Sequence, residues 1–289
     1  MHGSRADGAG LERSCSGAGG SWLETAPAAP GIERIEAFFQ GRAYAPHRHD
    51  TYAIGHTMAG VQCFDYGGAT RHSLPGRVVA LHPDERHDGR AGTEAGFRYR
   101  MLYVEPALLQ EALGENAIPF VRGGVSGDRR LRSAVHSALA DFPDSIDGLR
   151  RGEILLAIAE ALRAATGTPR PARVTIDAPA VARVRGFLLA NLDRPVGSTT
   201  LEAVSGLDRW SLARQFRAAC GTSPYRFFTM RRLDRARTLI RQGATLAESS
   251  LAAGFADQSH MTRQFKRAYG LPPGRWAALN AAHSATATA

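Results

Sequence analysis

The amino-acid sequence predicts an α+β protein of two domains: an N-terminal β-barrel or jelly roll followed by helices, and then an all-helical C-terminal domain. Before residue 106, short segments of alternating apolar and polar residues are separated by glycine, proline and aspartate, which is typical of many antiparallel strands. Beyond that point, apolar residues recur at helical spacing. The tract at 214–224 is also repeated at 263–273, with six of eleven positions identical, so the C-terminal domain contains a duplicated unit.

The first 31 residues are rich in Gly, Ala and Ser and lack hydrophobic periodicity, which predicts a disordered tail. They contain no apolar core of a signal peptide, and the chain has no run of about 18 apolar residues to span a membrane. We therefore expect a cytoplasmic protein. Cys15, Cys63 and Cys220 are widely spaced and odd in number, so neither a disulfide framework nor a cysteine-based zinc site is expected.

The strands are clearest where side chains of one type occupy every second position. Phe97, Tyr99, Met101 and Tyr103 do so, which is the period-two signature of a half-buried strand. Glycine-rich and proline-containing turns separate the other candidates. Strands are predicted at 35–39, 51–58, 61–66, 77–81 and 97–104.

Helical periodicity follows the strands. A short helix is predicted at 107–113, and two longer apolar stripes indicate helices that pack against the barrel. The polar, proline-containing segment 166–177 predicts a linker, which leaves 32–165 as the first domain. The two stripes are Leu131, Val135, Leu139 and Phe142, and then Ile154, Leu155, Ile158, Ala161 and Leu162.

Each copy of the repeated tract is preceded by a short apolar helix pattern and a turn, which predicts two helix-turn-helix units at 201–222 and 246–269. Between them, the segment 224–242 begins with proline and continues with helical spacing. A helix of this length spans about 28 Å. Because successive major grooves on one face of DNA are about 34 Å apart, this spacer lets both second helices reach one side of a duplex.

The charge distribution agrees with a nucleic-acid partner. Residues 178–289 contain 16 Arg or Lys and 6 Asp or Glu, a net charge of +10, whereas the rest of the chain has 20 and 21, a net charge of −1. A domain this basic beside a near-neutral one is expected to bind phosphates. Lys266 is the only lysine, which fits a general bias toward arginine, but that bias does not explain the asymmetry.

The C-terminal residues resemble the DNA-binding domain of the AraC/XylS family of bacterial transcriptional regulators. The run 254–267, followed by Gly270 and by prolines at 272–273, is close to the family signature. The resemblance covers about a hundred residues, assigned here to 178–280, with a disordered tail at 281–289. It implies seven helices that contact two neighbouring segments of the major groove of double-stranded DNA, and RNA polymerase as a further partner.

Several exposed positions are predicted to contact DNA. Trp210 and Arg214 align with family positions that touch DNA, and the start of a recognition helix reaches base edges. Arg pairs with guanine and Gln with adenine, whereas Arg217, Lys266 and Arg267 are expected to meet phosphates. The complete set is Arg209, Trp210, Ser211, Arg214 and Arg217 in the first unit, and Gln258, Ser259, His260, Thr262, Arg263, Lys266 and Arg267 in the second.

The N-terminal domain resembles the cupin-like sensor domain of the same family, on the basis of the segments 46–49, 75–76 and 82–87. In metal-binding cupins, a His-x-His pair and a later histidine converge on one ion, but the glutamate that follows the pair there is missing here. Histidines that line a pocket or form structural hydrogen bonds are therefore favoured over a metal site, and no cofactor is predicted. The expected effector pocket contains His47, His49, Tyr52, His87 and Tyr99.

The resemblance implies a transcriptional regulator, more often an activator in this family, that responds to a small-molecule effector in the barrel. It also implies a homodimer formed through helices near 150–165, with Ile154, Ile158 and Leu162 as contacts. Two alternatives stay open at this point. One is a metal-dependent cupin oxygenase or isomerase fused to a DNA-binding domain, although no enzyme is expected; the other is a constitutive DNA-binding dimer without an effector.

Overall fold

The computed structural model describes residues 20–27, 29–114, 119–166 and 175–286, with side chains up to residue 281. We call residues 20–166 the N-terminal half and residues 175–286 the C-terminal half. The predicted linker residues 167–174 and the first 19 residues of the predicted tail lie outside the described residues. No helix in the described part of the chain combines the length and apolar character needed to cross a membrane.

Ten strands form two antiparallel sheets in the described part of the N-terminal half. The first sheet has six strands in the order β1-β2-β9-β4-β7-β10, and the second has four in the order β3-β8-β5-β6. The predicted jelly-roll class is confirmed, although the sheets stay separate and do not close into a barrel. The strands are β1 Trp22–Thr25, β2 Ile32–Phe39, β3 Arg42–His47, β4 Tyr52–Gly60, β5 Gln62–Tyr66, β6 Ala69–Ser73, β7 Val78–Leu81, β8 His87–Ala91, β9 Phe97–Val104 and β10 Val125–Ser126.

The six-stranded sheet is buried on both faces, because successive side chains of its strands point to opposite faces and both faces carry apolar residues. On β9, Phe97, Tyr99 and Met101 point toward the four-stranded sheet, whereas Leu102 and Val104 join a second core on the other face. Three helices cover that second face. They are α1 Pro106–Leu113, α2 Arg129–Ala140 and α3 Gly148–Thr166.

The predicted dimer contacts on α3 are wrong. Ile154, Ile158 and Leu162 are at most 3% exposed and pack into the core between α3 and the sheet. The exposed apolar residues of this helix are instead Leu149 and Leu156. The apolar stripe of α3 therefore packs against the sheet of the same chain, and only the opposite face of the helix is accessible to a partner.

The predicted tails also need correction. β1 lies inside the segment expected to be disordered, because residues 22–25 pair with β2 and the strand also contacts the last helix of the chain. At the other end, that helix continues to residue 286, although residues 281–289 were predicted to be a tail. Residues 22–25 are thus placed by contacts with distant parts of the chain rather than by a local pattern.

Seven helices form the described part of the C-terminal half, as the family resemblance implied. They are α4 Ala178–Ala190, α5 Ser198–Ser205, α6 Arg209–Cys220, α7 Pro224–Arg241, α8 Leu246–Ala252, α9 Gln258–Tyr269 and α10 Pro273–Thr286. Each helix-turn-helix unit has its own apolar core. The helix α7 belongs to both, since Phe227 and Phe228 pack in the first core and Met230 and Leu233 pack in the second.

Candidate DNA interface and internal cavity

The second helices of the two units, α6 and α9, are built alike. Each begins after an aspartate whose carboxylate accepts backbone hydrogen bonds: Asp208 from Trp210 and Ser211 at 2.9 and 3.0 Å, and Asp257 from His260 at 2.6 Å. Each ends at a glycine with positive φ, 74° at Gly221 and 70° at Gly270. The duplicated sequence therefore produces two helices with equivalent boundaries.

On α6, the predicted DNA-contacting side chains lie at the surface, with Ser211 partly buried. Trp210 is 70% exposed, so its ring is accessible to a partner. Arg209 pairs with Glu202 at 3.3 Å, and Arg214 donates a hydrogen bond to the Ser211 hydroxyl at 3.0 Å. Arg217 lies 3.7 Å from Asp84 of the N-terminal half.

On α9, the predicted residues also form one surface, while Met261, Phe265 and Ala268 of the same helix are buried in the core. Because polar and apolar residues separate cleanly around α9, one face is anchored and the other is free to meet a groove. The outer face carries Gln258, Ser259, Arg263, Lys266 and Arg267 exposed, with His260 and Thr262 partly buried.

The helix α7 separates the two units. It has 18 residues, which corresponds to about 27 Å of helix, close to the length predicted from the sequence. Ser223 caps its first turn by accepting a hydrogen bond from the Arg226 amide, and Pro224 occupies the first helical position. Because its side chains contribute to both apolar cores, α7 fixes the distance between the two recognition helices.

A cavity of about 270 Å³ lies where the two halves of the chain meet. Sequence reasoning assigned the effector pocket to the N-terminal domain alone, but α7, α9 and α10 also supply lining residues. Tyr269 and Trp276 lie opposite strand residues such as Ala53 and Met101. Nothing in the periodicity of the C-terminal sequence separates these residues from ordinary core positions.

Buried ion pairs surround this cavity and join the two halves. Arg231 of α7 lies 3.0 Å from Asp50 and 2.8 Å from Glu105, both of the N-terminal half. Arg237, six residues further along α7, binds Glu33. Burial alone would raise the pKa of Glu33, but Arg237, together with the charges of Arg241 and Arg231, outweighs burial and lowers it. The sequence did not predict these ion pairs, because the partners are far apart in the chain.

Backbone hydrogen bonds also connect the end of α9 to β3. The Ala45 amide donates to the Gly270 carbonyl at 3.1 Å, and the Arg48 amide donates to the Arg267 carbonyl at 3.3 Å. Leu271, which follows α9, lies in the core between the sheets. The second recognition helix is thus attached directly to the strand that carries His47.

Four of the five residues predicted for the effector pocket line the cavity. His47, His49 and His87 lie together, with ring centroids 4.3 Å apart for His47 and His87 and 4.8 Å apart for His49 and His87. Tyr99 shares a 2.6 Å hydrogen bond with the Tyr44 hydroxyl. Burial, followed by the charge of His87, lowers the pKa of His47 and of His49, and burial lowers the pKa of His87 to about 4.

Tyr52 is the exception. Its ring packs in the core beneath the helices, and its hydroxyl donates a hydrogen bond to the Pro119 carbonyl at 2.7 Å. The next residue, Ala53, faces the cavity instead, because successive side chains on β4 point to opposite faces of the sheet. The prediction placed Tyr52 on the wrong face of its strand.

The chain matches two protein-family profiles: an AraC-like ligand binding domain at residues 29–179 and a helix-turn-helix domain at residues 201–278. YbfI of Bacillus subtilis, an uncharacterized HTH-type transcriptional regulator, is 26% identical over 235 residues, which cover 78% of this chain and 86% of YbfI. The HTH-type transcriptional regulator GbdR of Pseudomonas aeruginosa is 28% identical over 96 residues, or 33% of this chain and 26% of GbdR.

Solved structures show the same two-part fold. ToxT from Vibrio cholerae superimposes with a TM-score of 0.60 at 9% identity, covering 90% of this chain and 96% of ToxT. A second ToxT structure, bound to (E)-4-(8-methylnaphthalen-1-yl)but-3-enoic acid, gives a TM-score of 0.59 at 11% identity and covers 90% of this chain and 99% of that one. At this level of identity, the similarity shows the fold.

Proposed function

The chain belongs to the AraC family of transcriptional regulators, and from this premise we propose that a small molecule in the cavity between its halves controls its binding to specific DNA sites. In this proposal residues 32–165 form the effector-binding domain, 166–177 the linker and 178–280 the DNA-binding domain. No catalytic step is included. A cytoplasmic location is part of the proposal, because bacterial chromosomal DNA lies there.

Sequence recognition is assigned to the outer faces of α6 and α9. Trp210, Arg214, Gln258 and Arg263 are exposed in the first half of these helices, and the N-terminal part of a recognition helix reaches base edges. Arg263 suits guanine and Gln258 suits adenine, because each can form two hydrogen bonds to that base. The remaining predicted contacts supply phosphate binding, which strengthens affinity without selecting sequence.

The cavity carries the proposal for control by an effector. A molecule that binds there touches both halves at once, so its affinity depends on how the halves are arranged. A ligand shifts such an equilibrium only through different affinities for the two arrangements, and a cavity lined from both sides provides that difference. The bonds between β3 and the end of α9 give a direct route to the second recognition helix.

Three finer features complete the proposal. The protein acts as an activator that contacts RNA polymerase, in keeping with its family. It forms a homodimer through the outer face of α3, where Leu149 is 78% exposed and Leu156 is 45% exposed. Two ToxT structures are described as bound to a carboxylic acid or to an unsaturated fatty acid, which supports a small-molecule effector without identifying it.

Binding of the full chain to fragments of its own genome tests the DNA-binding part of the proposal. The mixture should contain excess competitor DNA at near-physiological salt, since phosphate contacts alone weaken steeply with salt. Enrichment of discrete sites is the expected result. If the protein retained DNA fragments without preference, lost them as salt rose, and did so with each candidate effector present, sequence-specific regulation would be contradicted.

An enriched site then serves to test control by an effector. Small metabolites that change the affinity of the protein for that site are candidate effectors. Ala53→Phe fills the cavity from β4 and should abolish the response while leaving binding to the site intact, because Ala53 is remote from the outer faces of α6 and α9. Ala59→Phe, on an exposed position of the same strand, is the matched control. An unchanged response in Ala53→Phe would exclude this cavity as the effector site.

A further inference from the structure

The three histidines at the cavity form a more specific arrangement than a polar lining requires. His47 on β3 and His87 on β8 are paired across the four-stranded sheet, and His49 follows β3 two residues later. One ring nitrogen from each of the three lies within 4.8 Å of the others. All three side chains are at most 8% exposed.

Hydrogen bonds fix the same tautomer in each ring. Nδ1 of His47 bonds to the Ala45 carbonyl at 2.9 Å, Nδ1 of His49 to the Thr51 carbonyl at 2.8 Å, and Nδ1 of His87 to the Glu85 carbonyl at 3.0 Å. A carbonyl oxygen only accepts, so Nδ1 carries the proton in every case. Each Nε2 therefore has a free lone pair.

Three lone pairs brought together in this way cannot satisfy one another. Nε2 of His49 is fully buried and has no hydrogen-bond partner among the described residues. A buried hydrogen-bond acceptor without a partner costs about 1–3 kcal/mol of stability. A ligand from outside the chain that accepts an electron pair would remove this cost. Backbone carbonyls that hold Nδ1–H are also the usual outer partners of metal-binding histidines, since they orient the ring and make Nε2 more basic.

We propose that His47, His49 and His87 bind one divalent transition-metal ion through their Nε2 atoms, with a further coordination position open to the cavity. Three imidazoles suit Zn²⁺, Co²⁺, Ni²⁺ and Fe²⁺ and disfavour Mg²⁺ or Ca²⁺, which prefer oxygen. A glutamate ligand is not required, because three histidines with one open position form a complete site for zinc.

The geometry fits with small side-chain movement. Zn–N bonds of about 2.0–2.1 Å in a tetrahedral site put nitrogens about 3.4 Å apart, so the most distant ring nitrogens, up to 4.8 Å apart here, need to approach by about 1.4 Å. Arg226, whose charge acts on His47 and His49, is paired with Asp84 at 3.0 Å. The added positive charge of the ion would attract an anionic group to the open position.

The ion would also lie close to the second recognition helix. A Cβ atom added at Gly270, the residue that ends α9, would come within 2.9 Å of Nδ1 of His47. Effector binding at the open position would thus act on the strand to which α9 is attached. This consequence depends on the proposed function, whereas metal binding itself does not.

Metal binding by the full chain, stripped with a chelator and dialysed, tests the proposal directly. Titration with Zn²⁺ and with Co²⁺ should give one ion per chain. His49→Ala should lose this binding at concentrations that saturate the wild type. His136→Ala is the matched control, because His136 stacks on His56 in a two-histidine contact elsewhere and its loss should leave the stoichiometry at one.

X-ray absorption spectroscopy of the zinc-loaded wild type supplies a measurement that needs no variant. Three imidazole ligands and no sulfur are expected. An undetectable ion, a sulfur ligand, a single imidazole, or full binding by His49→Ala would each overturn the proposal. If no effector changed DNA binding, the proposed function would fail while the chain still bound one metal ion. If the chain bound no metal ion, the metal site would fail while DNA binding could still respond to an effector.

Discussion

The N-terminal and C-terminal halves keep their polar side chains in opposite places. In the N-terminal half, five histidines are buried, and three of them face one cavity. In the C-terminal half, the cations proposed to contact DNA lie on the outer faces of α6 and α9, and the buried arginines Arg231 and Arg237 pair with carboxylates of the other half. Polar groups inside one half suit a small ligand, and polar groups outside the other suit a polyanion.

The largest expected effect comes from the cores that hold the recognition helices in place. Phe216→Ala and Phe265→Ala should each lower the free energy of unfolding by about 3–5 kcal/mol, because both rings are completely buried. Denaturant unfolding measures this loss, with Leu251→Ala, an exposed position on α8, as the control. Unequal losses would show that the two units are less alike in packing than in sequence.

Arg231→Met tests the contact between the halves. Removing this cation leaves Asp50 buried without its partner, while Glu105 keeps only Arg185, and the loss should cost about 3–5 kcal/mol of stability. Arg235→Met, an exposed position on the same helix, should change stability by less than about 0.5 kcal/mol. If thermal unfolding showed equal small shifts for both variants, the halves would not be held together by this ion pair.

Arg263→Ala and Arg267→Ala separate two roles on the outer face of α9. The first should weaken specific binding by about 1–3 kcal/mol and relax the preference at one base pair, because it removes a base contact. The second should weaken all sequences about equally and reduce the dependence on salt. Site selection with each variant measures this, and an unchanged selected site for Arg263→Ala would show that Arg263 does not read a base.

The smallest effect is a pH dependence that belongs to the N-terminal half. Burial lowers the pKa of His82 from 6.5 to about 4, and its Nε2 must stay unprotonated to accept the Val121 amide at 2.8 Å. The unfolded chain therefore binds more protons below pH 6.5, so stability is lost as pH falls through that range. On acidification from about pH 7.5 to about pH 5.5, His82 should lower the free energy of unfolding by about 1 kcal/mol.

Urea unfolding at both pH values checks this contribution. The loss of stability on acidification should be larger in the wild type than in His82→Gln, which cannot take up a proton. Equal losses in the two proteins would mean that His82 is not buried as a neutral imidazole. The result would then weaken the contrast between a half that hides its titratable groups and a half that displays its charge.

Much of this protein could be read from short-range patterns in the sequence. The alternation at Phe97–Val104 predicted β9, and the repeated tract predicted a helical domain with helix-turn-helix architecture. The three clustered histidines were also named in advance. These features follow from local geometry, because a strand repeats every two residues and a helix every 3.6, whatever surrounds them.

Tertiary structure decided which face of each element is covered and which distant residues meet. The sequence could not show that Tyr52 turns away from the cavity, that Ile154 and Ile158 face the sheet, or that residues 22–25 pair with β2. It could not pair Arg231 with Asp50, which is 181 residues away, or bring one ring nitrogen from each of three histidines within 4.8 Å of one another. Periodicity specifies an amphipathic element, but its partner is chosen by the packing of the whole chain.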